Sequence, residues 1–256
     1  MNQPQSIANE LTCQLNEAMR RKVTEFEVAS LRKKANSLVK VEPAAGYDAL
    51  GMIAALVWDY SESIHYHKKA MTLEPNEEVL ILNFVVSLNR LGAVHESIYW
   101  AERALEVARE AENINYLHRM LFESFFKAGY VKKALEARDH VVPDDDEEEG
   151  FEALSTRVEI VFEFMKKHAL SDVDVSQYVS ILEGICRKHD LASESEMPYT
   201  CDDTKASLLC LHKRIIDDAD KAADLNEELA ELISSGSSLP AHITSIVSGG
   251  FLSATA

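Results

Sequence analysis

The sequence predicts an all-α chain assembled from repeated helix pairs, and three observations carry that reading. The first is self-similarity: 34 residues after Ser63, Ser97 opens "SIYWAERALEV", which superimposes on "SIHYHKKAMTL" with Ala104 in the place of Ala70. The second is a further copy from about Asn115, "NYLHRMLFESFFKAGYVKKALEARDHVVP", in which Gly129 matches Gly92 and Ala134 matches Ser97. It arrives 37 residues later, so the stretch "EAENIN" is three residues longer than the period expects. The third is alternation of size. Small residues (Gly51, Ala70, Ala104, Ala134) let two helices approach, and large ones (Leu50, Phe84, Leu121, Phe125) fill the space beside them. One such unit cannot bury its apolar faces alone, so neighbours must stack.

Residues 1–43 carry apolar residues at helical spacing (Ile7, Leu11, Leu15, Ala18, then Phe26, Leu31, Leu38), with a capping box offered by Thr24 and Glu27. They read as a helix pair that caps the array or forms a degenerate leading repeat, since "KVEP" ending at Pro43 is echoed by "TLEP" ending at Pro75. Residues 44–143 hold the three copies. Tyr47, Leu50, Gly51 and Ala54 fall on one helix, and Ser63, His67, Ala70 and the terminal Pro75 on the next. That pattern resembles the tetratricopeptide repeat (TPR), and the likeness covers residues 44–143. Copies two and three keep the period but place Val85 and Phe122 where copy one has Gly51. The resemblance implies a TPR-like superhelix of about three repeats with a concave groove.

"PDDDEEEG" closes the repeat block, and residues 144–150 are expected to be an acidic linker or the electropositive start of the next helix. Residues 151–235 are expected to be acidic C-terminal helices: two amphipathic helices around "SDVDV", where Asp172 or Asp174 would cap, then a long helix over 203–233. Its stripe of Leu208, Leu211, Ile215, Ala219, Ala222, Leu225, Leu229 and Leu232 would pack on the repeats or form a homodimer seam. Residues 236–256, rich in Ser and Gly, read as a flexible tail.

Charge narrows the partners. The chain of 256 residues has net charge −17. Residues 144–256 hold 9 Lys and Arg against 24 Asp and Glu. That acidity repels phosphates, which argues against nucleic acid and anionic membrane surfaces and leaves a basic protein as the complementary partner. No run reaches membrane-span length and the first residues lack signal-peptide order, so a cytoplasmic location is expected.

Several constellations need weighing as chemistry. His65 and His67 lie two residues apart on a helix, where side chains point about 200° from each other and cannot share an ion. His67 falls at a packing position that the repeat usually fills with an aromatic ring. Cys186, His189, Cys201, Cys210 and His212 are zinc-type ligands, yet the C-x-x-C knuckle is missing. No nucleophile-elbow, phosphate-loop, zinc-protease or dinucleotide motif occurs, so neither an enzyme nor a cofactor is expected.

The tetratricopeptide resemblance implies a non-enzymatic protein–protein interaction module, an adaptor or partner-holding chaperone, that binds a peptide or helix along the first helices of successive repeats. The groove positions would be Met52 and Ala55, then Asn83, Val86, Asn89 and Arg90, then Tyr116, Arg119, Met120 and Lys127. Amides would bond a ligand backbone, the cations would meet carboxylates, and apolar residues would grip side chains. Asp48 and Met52 replace the basic and amide residues with which chaperone-binding members hold a terminal carboxylate. Two alternatives are a regulator that sequesters a basic protein through the acidic C-terminal half, and a zinc-dependent module in residues 151–235.

Overall fold

The computed structural model describes residues 7–19, 21, 23–143, 148–189, 191, 199–202, 204, 207–216, 219–235 and 239–253, with backbone alone for 7, 200, 209–216, 252 and 253. The chain is mostly helical, as expected, with one small sheet that was not. Two compact units are present: Met1–Leu91 with Tyr99–Ala108, and Gly92–Ile98 with Arg109–Ala256. No helix among the described residues is long and apolar enough to cross a membrane.

In the first unit the helices are α1 (Ile7–Met19), α2 (Glu25–Leu38), α3 (Pro43–Leu56), α4 (Tyr60–Leu73) and α5 (Glu78–Arg90), joined by the later part of α6 (Val94–Val107). The expected capping box starts α2: the Thr24 hydroxyl accepts from Glu27 N–H, and Glu27 reaches back to Thr24 N–H at 2.8 Å. The Glu27 carboxyl, bonded first by Arg21 and then by Thr24, is lowered to about 2. Pro43 opens α3, where its missing N–H removes no helical bond. Helices α1 and α2 both pack on α3, and Leu11, Leu15, Leu31, Ala35 and Leu38 share one core with Leu50, Met52, Ile53 and Leu56.

The second unit continues with α7 (Ala111–Lys127), α8 (Val131–Arg138), α9 (Glu148–Lys167) and α10 (Asp172–Lys188). It closes with β1 (Tyr199–Asp202), β2 (Ser207–Ile216), α11 (Ala219–Ser234), α12 (Ala241–Ile246) and β3 (Val247–Ser253). The three residues by which the third copy exceeds the period lengthen its first helix: α7 has 17 residues against 14 in α3 and 13 in α5. Glu148 and Glu149 occupy the first turn of α9, where backbone N–H groups favour negative charge, while 144–147 of the expected acidic linker lie outside the described residues. Ser171, not Asp172 or Asp174, caps α10. Asp174 completes the box from its third position, and Asp172 accepts from Lys132 N–H and Lys133 N–H at the start of α8.

The long helix expected over 203–233 is absent as such. Residues 207–216 form the central strand of a sheet ordered β1-β2-β3, antiparallel to β1 (Tyr199↔Cys210) and parallel to β3 (Leu208↔Val247). The apolar run "SLLCLHKRII" fits the three- and four-residue steps of a helix and equally a strand bonded on both edges, and hydrogen bonding from both neighbours decides for the strand. Helix α11 keeps only the later part of the stripe. Ala222, Leu225 and Leu229 are buried, and α11 packs on β3 and α10, so the seam drawn for a second chain is used within the unit.

The expected flexible tail is likewise structured over 239–253. The Asn226 side chain accepts from Phe251 N–H at 2.8 Å and donates to its carbonyl at 3.0 Å, covering the edge of β3. A Cβ on Gly250 would lie 2.7 Å from Asn226 Oδ1, so a glycine there allows the clamp.

One turn recurs through the helix pairs. Trp58, Gly92, Gly129 and Ala169 all have positive φ, at successive spacings of 34, 37 and 40 residues, each between the first and second helix of a pair. After three of them the next N–H reaches the carbonyl five residues back: Asp59 to Ala54 (3.0 Å), Tyr130 to Phe125 (2.8 Å) and Leu170 to Met165 (2.9 Å). These are Schellman closures, and α9–α10 repeats the closure of the earlier pairs. Only two of the four turns use glycine. Ala169 holds φ 53 with a Cβ, a conformation that costs about 1 kcal/mol and that glycine adopts freely. Ala169→Gly is therefore expected to raise stability in urea unfolding by about 1 kcal/mol; a loss would place the residue outside the left-handed region.

Candidate functional site

The residues expected to line a groove separate into two sets. Met52 is fully buried in the core shared with α1 and α2, and Ala55 is fully buried as well. Asn83 is 6 % exposed, and its amide donates to Asp48 Oδ2 at 2.7 Å. Arg90 donates to the carbonyls of Met19 (2.7 Å) and Ala55 (3.3 Å) and lies 4.8 Å over the Trp58 ring. It thereby satisfies carbonyls at the ends of α1 and α3 that have no helical partner. These four residues hold the fold.

Val86 and Asn89 on α5 are partly exposed, as are Arg119, Met120 and Lys127 on α7, and Tyr116 is 44 % exposed. Arg119 and Lys127 both pair with Glu123, at 3.7 and 3.9 Å. The spacing 116, 119, 120, 123, 127 puts these side chains in one stripe along α7, opposite the buried Leu117, Leu121 and Phe125. The α5 residues belong to the first unit and the α7 stripe to the second.

Asp48, His67 and Ser87 form a constellation that sequence reading did not assemble. His67 Nδ1 lies 2.9 Å from Asp48 Oδ1, and its Nε2 lies 2.9 Å from Ser87 Oγ. A carboxylate only accepts, so Nδ1 carries the proton in the neutral ring and Nε2 accepts from the hydroxyl. The atom order is that of a hydrolytic triad, but His67 and Ser87 are both fully buried and the ring stacks on Phe84 at 4.9 Å. A nucleophile needs a reacting carbon beside it and donors for the oxyanion; this serine sits inside packed helices. The network ties α3, α4 and α5 together.

Its cost in space is visible at Gly51, where a Cβ would come 2.6 Å from the imidazole. At the equivalent positions of the second copy the sizes reverse, with Val85 for Gly51 and Ala101 for His67, both fully buried. The signal available in sequence was the pairing of a histidine at an aromatic position with an acid 19 residues earlier.

A second carboxylate–imidazole–hydroxyl chain lies in the other unit. His95 Nδ1 is 2.9 Å from Glu183 Oε2, and Nε2 is 3.0 Å from Ser176 Oγ. Glu183 also accepts from Val94 N–H at 3.2 Å, which places its charge at the N-terminus of α6. Its members lie 81 to 88 residues apart, too far for any local pattern to announce them.

Of the zinc-type residues, Cys186 is buried and His189 Nε2 is bonded to Glu228 at 2.7 Å. The side chains of Cys210 and His212 lie outside the described residues; among those described, no group of three metal-ligating side chains forms. His67 is buried and His65 exposed, as the helical spacing requires. No model of a known protein family matches the chain, and no curated protein matches it.

Removing the ring in His67→Leu would leave Asp48 and Ser87 buried without their partner. The expected loss is about 3–5 kcal/mol in denaturant unfolding; a change below about 1 kcal/mol would mean that the network adds nothing over apolar packing.

Two groups give stability a pH dependence. Hydrogen bonds from His189 and Lys188 hold the Glu228 carboxyl below its ordinary range. A depressed carboxyl supplies stability above its unfolded value and loses it as pH falls through the folded one. The His118 imidazole is also lowered, first by burial and then by His140, whose ring stacks on it at 5.0 Å. Here the unfolded chain takes up the proton first, so stability falls as pH drops from about 7 through the imidazole range. Thermal melts between about pH 7 and 5 should therefore descend less steeply for His118→Gln than for wild type; equal slopes would rule out His118 as the cause. Glu228→Gln should flatten the descent below about pH 5.

Proposed function

We propose that this protein is a non-enzymatic interaction module, an adaptor or partner-holding chaperone of tetratricopeptide type, that binds a peptide or helix through the first helices of its helix pairs. The observation that carries this reading is the α7 stripe, which sets an aromatic ring, a thioether and two cations in one row with none of them buried. A ligand with carboxylates beside apolar side chains would complement it. The pairs that Arg119 and Lys127 make with Glu123 are exposed and within one helix, a class worth well under about 1 kcal/mol, so either cation can turn to a ligand carboxylate at small cost. In the first unit Val86 and Asn89 are the corresponding side chains, and Met52, Asn83 and Arg90 support them from beneath.

The test is affinity capture from native extract with wild-type protein and with Tyr116→Ala/Arg119→Ala, followed by titration of the partner recovered. The double variant is expected to keep its melting temperature and to weaken the purified partner at least about tenfold, which is about 1.4 kcal/mol. A partner bound equally by the variant would remove the stripe from the function.

A further inference from the structure

We propose that the second unit carries a separate docking groove between α10 and α11, built for a basic amphipathic helix of a partner protein that inserts one large apolar side chain. The groove encloses about 510 Å³ and is lined by Ile181, Gly184, Ile185 and Lys188 from α10 and by Glu228 and Leu232 from α11, with Ser235 at its end. Residues 181, 184, 185 and 188 recur at the spacing of one face of α10, and 228, 232 and 235 at that of α11. The walls are therefore two helical ridges with an apolar floor, and Leu232 stands at the opening, 42 % exposed.

Gly184 distinguishes this groove from an ordinary furrow between helices. Glycine within a helix weakens it relative to alanine, and packing usually supplies the reason for keeping one. Here packing does not: a Cβ built on Gly184 meets no atom within 4 Å. The missing side chain keeps open a space that nothing in this chain fills, and it lets a foreign helix come close to the α10 backbone.

Charge selects the occupant. Helix α11 carries Asp220, Asp224, Glu227, Glu228 and Glu231 against the single cation Lys221. Lys188 at 3.0 Å and His189 at 2.7 Å hold both oxygens of Glu228 in place, and Glu231 lies beside them along the wall with Lys188, Glu228 and Leu232. An apolar side chain flanked by Lys or Arg would meet an apolar floor and an acidic rim. A second copy of this chain would bring acid against acid. The groove stands independently of the α7 stripe, so either surface can fail without the other.

The experiment uses the full-length protein and a fluorescein-labelled designed amphipathic helix of leucine and lysine, read by anisotropy. Gly184→Trp fills the groove from a position with free space around it, and Leu232→Lys places a cation at its mouth. Val173→Lys makes the same charge change on an apolar residue of α10 that is 58 % exposed and outside the groove. Wild type and Val173→Lys are expected to bind alike, with Gly184→Trp and Leu232→Lys weaker by at least about tenfold. Absence of wild-type binding would overturn the proposal. So would equal weakening in all three variants, which would mean bulk charge, or equal binding by the two groove variants. A concentration-dependent dimer abolished by Gly184→Trp would make a second copy the occupant and would also overturn it. Should Gly184→Trp fail to fold, the comparison of Leu232→Lys with Val173→Lys decides.

Discussion

The buried contact between Asp48 and His67 is the constraint from which the first unit follows. An ionised carboxylate in a core survives only when its oxygens are bonded, and here Oδ1 faces imidazole Nδ1 while Oδ2 accepts the Asn83 amide. The ring then needs a partner for Nε2, which Ser87 supplies, and room, which Gly51 supplies. Five residues on three helices are thereby linked, and substitution of one strands the others. Asn83, a candidate ligand group by position, is committed to the protein itself, and so is Arg90 through the carbonyls that end α1 and α3. Buried polar networks of this kind fix one arrangement among several that apolar packing alone would tolerate.

The second unit solves a different problem. Its helix pairs end against a three-stranded sheet whose strand β2 lies between two neighbours, and α9, α10 and α11 pack around it. The sheet is locked to helices by polar contacts at both edges. The Tyr199 hydroxyl donates to the Lys127 carbonyl at 3.1 Å, and Asn226 clamps the backbone of Phe251. The acidity concentrated after residue 143 lies largely on helices, with α11 bearing five acids to one base. Its functional reading is attraction of a basic partner, while the α7 stripe, with its cations, favours an acidic one. Two surfaces of opposite preference on one chain are what an adaptor requires.

Much of the helical plan was legible in the sequence because it rests on local rules. The 34-residue period, the Thr24 capping box, Pro43 at a helix start, and the burial of Ala70, Ala104 and Ala134 each depend on residues within a few turns of one another. The candidate site was legible only in part. A helical period names the face on which Tyr116, Arg119 and Lys127 stand, but whether Met52 on the like face of α3 meets solvent depends on α1 and α2, which cover it.

By itself the sequence determined a mostly helical chain, the pairing of its helices, the register of the repeats and the acidic character of its later half, since spacing, capping and charge act along the chain. Only the tertiary structure decided that "SLLCLHKRII" is a strand, that Ser176, Glu183 and His95 meet, and that a glycine in α10 opens a groove rather than closing a contact. The physical reason is the same in each case. A strand is chosen by the neighbours that take its hydrogen bonds, a buried carboxylate by the donors that reach it, and an open space by everything that does not enter it. All three are set by residues distant in sequence, where no local pattern carries the information.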